Sequence, residues 1–223
     1  MKQGSGGNDE LRSRILAMTK KEPAPTRAEV RRSTAWTIAI GFAGLAVVFF
    51  ALGGLHAGRR PDGLVAATAI GWGLVAALAT FFGVGRGRSM LGRPRVWLVL
   101  LAAVTPLALF ASALLVRDAA WPEAASFGTS RAGDVKCFLS TAAFAAGPLL
   151  AFLLVRRHSD PVHPRATAAA LGAAAGAWAG LMIHFHCDVQ ETVHLGAAHV
   201  LPVVLAAALG AIVGNKVLGV RRV

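Results

Sequence analysis

Charge is scarce in this sequence and absent where the chain is most apolar. Only 15% of the 223 residues are charged while 55% are hydrophobic, and a mean hydropathy of +0.58 lies outside the range of ordinary soluble domains. All 11 acidic and all 23 basic residues fall outside six apolar runs, 34–55, 64–84, 96–116, 137–155, 166–186 and 193–214. Each run is about 20 residues long, the length at which a helix crosses the hydrocarbon of a bilayer. With no acidic or basic side chain in mid-span to bind a coupling ion or relay protons, a transporter is disfavoured. A phosphate-binding loop is disfavoured as well. The glycine run in "GVGRGRSMLGRPR" (83–95) has no strand before it and no lysine–serine pair, and reads as a basic turn between two spans. Cysteine is nearly absent too, with only Cys137 and Cys187.

The charges that are present set the topology. The amino-terminal tail, the 86–95 and 156–165 connectors and the carboxy-terminal tail hold 18 of the 23 lysines and arginines. Basic residues near span ends stay in the cytoplasm, so both termini are expected there. The net charge of +12 then reflects topology and attraction to anionic lipid heads rather than nucleic-acid binding. The first run follows 33 mostly polar residues and exceeds a signal-peptide core, so it is expected to remain uncleaved. The architecture predicted is an all-α, six-span transmembrane helical bundle. It comprises a cytoplasmic amino-terminal tail (1–33), a membrane domain (34–218) and a short cytoplasmic end (219–223). Both cysteines are expected at the outer ends of their spans, which in a bacterial inner membrane is the oxidising side.

Within the tail, Asn8 or Asp9 can cap a short amphipathic helix on which Leu11, Ile15 and Met18 recur at helical spacing beside Leu16. Pro23 and Pro25 end it. "TRAE", residues 26–29, has the spacing of a capping box leading into the first span. On residues alone such a basic amphipathic segment docks on the inner leaflet or fits a partner's groove. In the fifth span Gly172, Gly176 and Gly180 form a small-residue stripe that lets another helix approach closely, and Gly210 and Gly214 repeat the spacing in the sixth.

The densest chemistry lies in "HFHCDVQETVH", 184–194, a tight external hairpin between spans five and six. It gathers His184, His186, Cys187 and His194 at one end of the bundle, with His199 beyond and Cys137 at the same membrane level. Thiolate and imidazole suit zinc, copper(I) or cadmium. A disulfide between Cys137 and Cys187 is a second reading and a haem a third, the last opposed by the site's position at the water boundary. A fourth is that these are polar boundary residues with no ligand role. His194 and His199 differ by about 140° around an ideal α-helix, so they cannot both point at one ion unless the helix starts after His194.

The segment from Cys137 onward, with "SDPVHPRATAAALGAAAGAWAG", Cys187, His199 and a small-residue sixth span, resembles the NrsF family of bacterial anti-sigma factors. These are six-span inner-membrane proteins that hold an extracytoplasmic-function sigma factor through the cytoplasmic amino terminus. The resemblance implies a regulator rather than an enzyme. It implies release of the sigma factor on an external heavy-metal or oxidative signal acting through Cys137 and Cys187, where a soft metal ion binds transiently. It implies no resident cofactor and no direct contact with nucleic acid, and it makes Leu11, Ile15, Leu16 and Met18 the sigma-binding face. The rival function is a multi-pass metal- or haem-binding membrane protein with no sigma partner.

Overall fold

The computed structural model describes residues 26–55, 61–85, 93–115, 130–159, 162–189 and 191–219. Six long helices account for most of them: α1 (Arg27–Ala51), α2 (Asp62–Val84), α3 (Arg95–Leu115), α4 (Arg131–Val155), α5 (Pro164–His186) and α6 (Thr192–Val217). Among the described residues there is no strand. Each helix is long and apolar enough to cross a membrane.

The chain divides into two units, Met1–Trp36 and Thr37–Val223. Described residues of the first unit contain the capping box read from the sequence. The Thr26 hydroxyl accepts the Glu29 N–H at 3.2 Å, and the Glu29 carboxylate accepts the Thr26 N–H at 2.7 Å. Two donors that a helix start leaves open are thereby satisfied, so α1 begins at Arg27, seven residues before the apolar run. The candidate sigma-binding residues Leu11, Ile15, Leu16 and Met18 lie outside the described residues.

In the second unit two helix boundaries depart most from the apolar runs. Helix α1 ends at Ala51 rather than at Leu55 because Gly53 and Gly54 adopt φ of 112° and 67°. There the Gly54 N–H bonds back to the Phe49 carbonyl at 2.9 Å, closing the helix through a conformation that side chains disfavour. Helix α4 begins at Arg131, where the Ser130 hydroxyl accepts the Gly133 N–H at 3.2 Å. Cys137 therefore does not open the fourth helix. It sits nearly two turns inside, with Asp134 one turn before it on the same face.

Helix α5 is the centre of the bundle, packed against α2, α3, α4 and α6. In its apolar stretch 78% of residues are buried, against 11% in α1. Its alanines and glycines explain this, because small side chains let neighbouring backbones approach where lipid supplies no hydrophobic drive between helices. A Cβ on Gly172 would strike the Ala206 backbone and one on Gly176 the Val203 side chain, both in α6. Reciprocally, Gly210 and Gly214 of α6 lie against the Ala168 and Pro164 carbonyls of α5. Gly180 faces α2 instead, against the Trp72 ring. Outward faces carry exposed Ile70, Leu74, Phe81, Trp97, Leu107, Leu209 and Ile212, a surface apolar enough to face acyl chains.

Candidate metal centre

Three helix ends converge on one site. The first turns of α4 supply Cys137, the residue capping the end of α5 is Cys187, and the start of α6 supplies His194 and His199. The two sulfurs and one ring nitrogen from each histidine all lie within 4.8 Å of one another. His194 Nε2 is 3.2 Å from Cys187 Sγ and 3.2 Å from His199 Nε2. Cys187, His194 and His199 are buried and Cys137 is partly so.

The 140° argued from an ideal helix does not hold here. Residues 195–200 form a π-turn, in which the Leu201 N–H reaches back five residues to the Gly196 carbonyl. A π-turn holds one residue more per turn than the α-helix, so positions five apart share a face. His194 and His199 consequently meet with their ring centroids 4.8 Å apart and their planes nearly perpendicular. The turn is braced from α4, where the Thr141 hydroxyl lies 2.8 Å from the Cys137 carbonyl and 3.0 Å from that of Ala198.

Asp134, which the sequence reading passed over, completes the arrangement. Its carboxylate lies 2.6 Å from His194 Nδ1. A carboxylate accepts, so Nδ1 donates, and in the neutral ring the Nε2 lone pair faces Cys187 and His199. The available signal was the spacing Asp134-x-x-Cys137, which places both residues on one helical face.

His184 and His186 have other partners. His184 Nε2 lies 2.5 Å from the Thr68 hydroxyl of α2 and its ring stacks on Trp72, while His186 Nδ1 meets the Gly54 carbonyl at 3.3 Å. His184 still borders the cluster, since it lines a cavity of about 20 Å³ together with Thr68, Trp72, Cys187 and His199. That volume holds roughly one water molecule. The nearby Cys137 sulfur and burial hold the Cys187 thiol above its ordinary pKa, so Cys187 rests protonated at neutral pH.

Chemically, two sulfurs and two imidazole nitrogens can bind a soft cation or, without one, be oxidised at sulfur. They are poorly placed for haem. Two axial imidazoles must stand on opposite faces of a porphyrin, whereas these two project from neighbouring turns of one helix with their nitrogens nearly touching.

Over residues 18–219 the sequence matches the family model NrsF, described as negative regulator of sigma F. The chain belongs to the NrsF family. No protein of curated function and no solved structure matches it. The family match spans all six helices and all four residues of the cluster, and begins at Met18, after Leu11, Ile15 and Leu16. Family membership makes the chain a negative regulator of a sigma factor, with six apolar helices compatible with a multi-pass membrane protein.

Proposed function

We propose that this protein is an inner-membrane anti-sigma factor that holds an extracytoplasmic-function sigma factor through its cytoplasmic amino terminus. It releases that factor on an external heavy-metal or oxidative signal received at Cys137 and Cys187. One observation carries the sensing half of this reading. Two cysteines 50 positions apart converge at one end of the bundle, within 4.8 Å of each other and of two imidazoles. Thiols so placed react with soft cations and oxidants as a pair. The basic connectors support an orientation in which that end faces outward and both termini face the cytoplasm.

The coupling element is the α5–α6 pair. Both helices contribute ligand atoms at the cluster and continue away from it as the glycine-lined interface of Gly172, Gly176, Gly210 and Gly214. A change at the cluster alters the ends of two helices whose close fit leaves little room for intermediate positions.

The test uses the full-length protein in its host membrane with a sigma-dependent reporter. Cys137→Ser and Cys187→Ser each remove induction by cadmium or oxidant while the protein still reaches the membrane. Normal induction in both variants overturns the sensing role. For the tail, Leu11→Asp with Ile15→Asp abolishes co-purification of the sigma factor and leaves the reporter constitutively on; undiminished co-purification rejects the assignment of that face.

A further inference from the structure

The cluster has the donor set and spacing of a closed tetrahedral metal site. We infer that Cys137, Cys187, His194 and His199 together bind one divalent cation of the zinc class, with Asp134 as the positioning residue for His194. This deepens the sensing role proposed above, since it names what the thiols hold, yet it stands on donor geometry and not on the sigma factor.

Zinc–sulfur bonds of about 2.3 Å and zinc–nitrogen bonds of about 2.0–2.1 Å, set at tetrahedral angles, put two nitrogens about 3.3 Å apart and a sulfur and a nitrogen about 3.6 Å apart. The His194–His199 and Cys187–His194 separations are both 3.2 Å, so small outward movements of the side chains open the site to an ion. Charge points the same way. Binding forms two metal–sulfur and two metal–nitrogen bonds, and a sulfur that still carries a proton releases it to water. Two thiolates then neutralise the dication, and no net charge is left among buried side chains, where an unbalanced one is costly.

The donor types select the ion. Sulfur and imidazole without oxygen ligands disfavour magnesium and calcium, and four protein ligands suit tetrahedral zinc, cobalt(II) or cadmium. A site with all four positions filled by the protein leaves none for a substrate or a reactive water, which is the arrangement of structural zinc. Asp134 supplies the outer contact that ligating histidines generally have, a carboxylate on the far ring nitrogen that fixes the tautomer. The π-turn is explained as well: it costs regular helical hydrogen bonding, and it is what turns His199 toward His194. Bound metal ties α4, α5 and α6 together at the end where the signal is received.

The experiment is a Co²⁺ titration of the full-length, reduced, metal-free protein in nanodiscs, followed by Zn²⁺ competition. The expected result is one Co²⁺ per chain, with the intense visible bands of tetrahedral cobalt and a near-ultraviolet thiolate charge-transfer band, all removed by one equivalent of Zn²⁺. His194→Gln and His199→Gln each shift the visible bands and weaken binding. Asp134→Asn keeps the spectrum but lowers affinity about 10- to 100-fold. His186→Gln, a histidine outside the cluster, leaves binding unchanged and controls for folding. Absence of thiolate-bound cobalt in the wild-type protein overturns the inference, as does a spectrum that both His194→Gln and His199→Gln leave intact. Neither result bears on sigma-factor binding, which the co-purification above measures separately.

Discussion

His194 and His199 bring their Nε2 atoms to 3.2 Å of one another although five positions separate them in the chain. In an uninterrupted α-helix the two rings diverge by about 140°. The single extra residue accommodated by the π-turn at 195–200 makes this one site rather than two unrelated histidines.

Deleting Ala197 tests that relationship. The deletion removes the extra residue, and the two histidines become four apart in a regular α-helix, where such positions also share a face. Co²⁺ binding survives. Inserting one alanine after Ala197 instead swings His199 away by about 100° and abolishes the thiolate–imidazole spectrum.

Metal binding weakens as pH falls. The neighbouring Cys137 sulfur and burial raise the Cys187 pKa, so at neutral pH the metal must displace a proton there, and lowering the pH strengthens the competitor. With the Cys187 proton released per ion, Zn²⁺ affinity drops by about 10-fold per pH unit. Zn²⁺ competition against a chromophoric chelator between pH 6 and pH 8 measures the slope, and a flat profile excludes thiolate ligation.

Thr141→Val probes the brace between α4 and the π-turn. The variant keeps the shape but removes the hydroxyl that meets the Cys137 and Ala198 carbonyls, leaving a buried acceptor without that partner. The expected loss is about 1–3 kcal/mol, read as a lower midpoint of unfolding in detergent, together with weaker Co²⁺ binding. A stable variant with unchanged affinity shows that the brace is dispensable.

Gly210→Ala places a methyl group against the Ala168 carbonyl and forces α5 and α6 apart, at an expected cost of about 1–3 kcal/mol. Gly71→Ala is the control, because a Cβ there meets nothing within 4 Å. If the glycine-lined pair also transmits the signal, Gly210→Ala alters sigma-dependent output even in unstressed cells, while Gly71→Ala leaves it at the wild-type level.

Much of the architecture is legible in the sequence, for a reason specific to membranes. Hydrocarbon cannot hydrate backbone groups, so an apolar run of spanning length must be helical, and uncharged runs mark six such helices without any knowledge of their neighbours. The capping box at Thr26 and Glu29 is likewise local, since both partners lie within one turn. Helix limits set by glycine conformation at Gly53 and Gly54, or by the Ser130 cap, were less visible, because hydropathy registers lipid exposure and not hydrogen bonding at helix ends.

The sequence by itself therefore determined the number of helices, the basic connectors and the presence of two cysteines and several histidines near one end. Only the tertiary structure decided which of them meet. Ligand choice depends on helix rotation and on one local change of helical pitch, each worth little energy and invisible to composition. These turn His194 and His199 toward Cys137 and Cys187, send His184 to Thr68 and His186 to Gly54, and bring Asp134 behind His194, a contact across 60 positions of chain that no local pattern encodes.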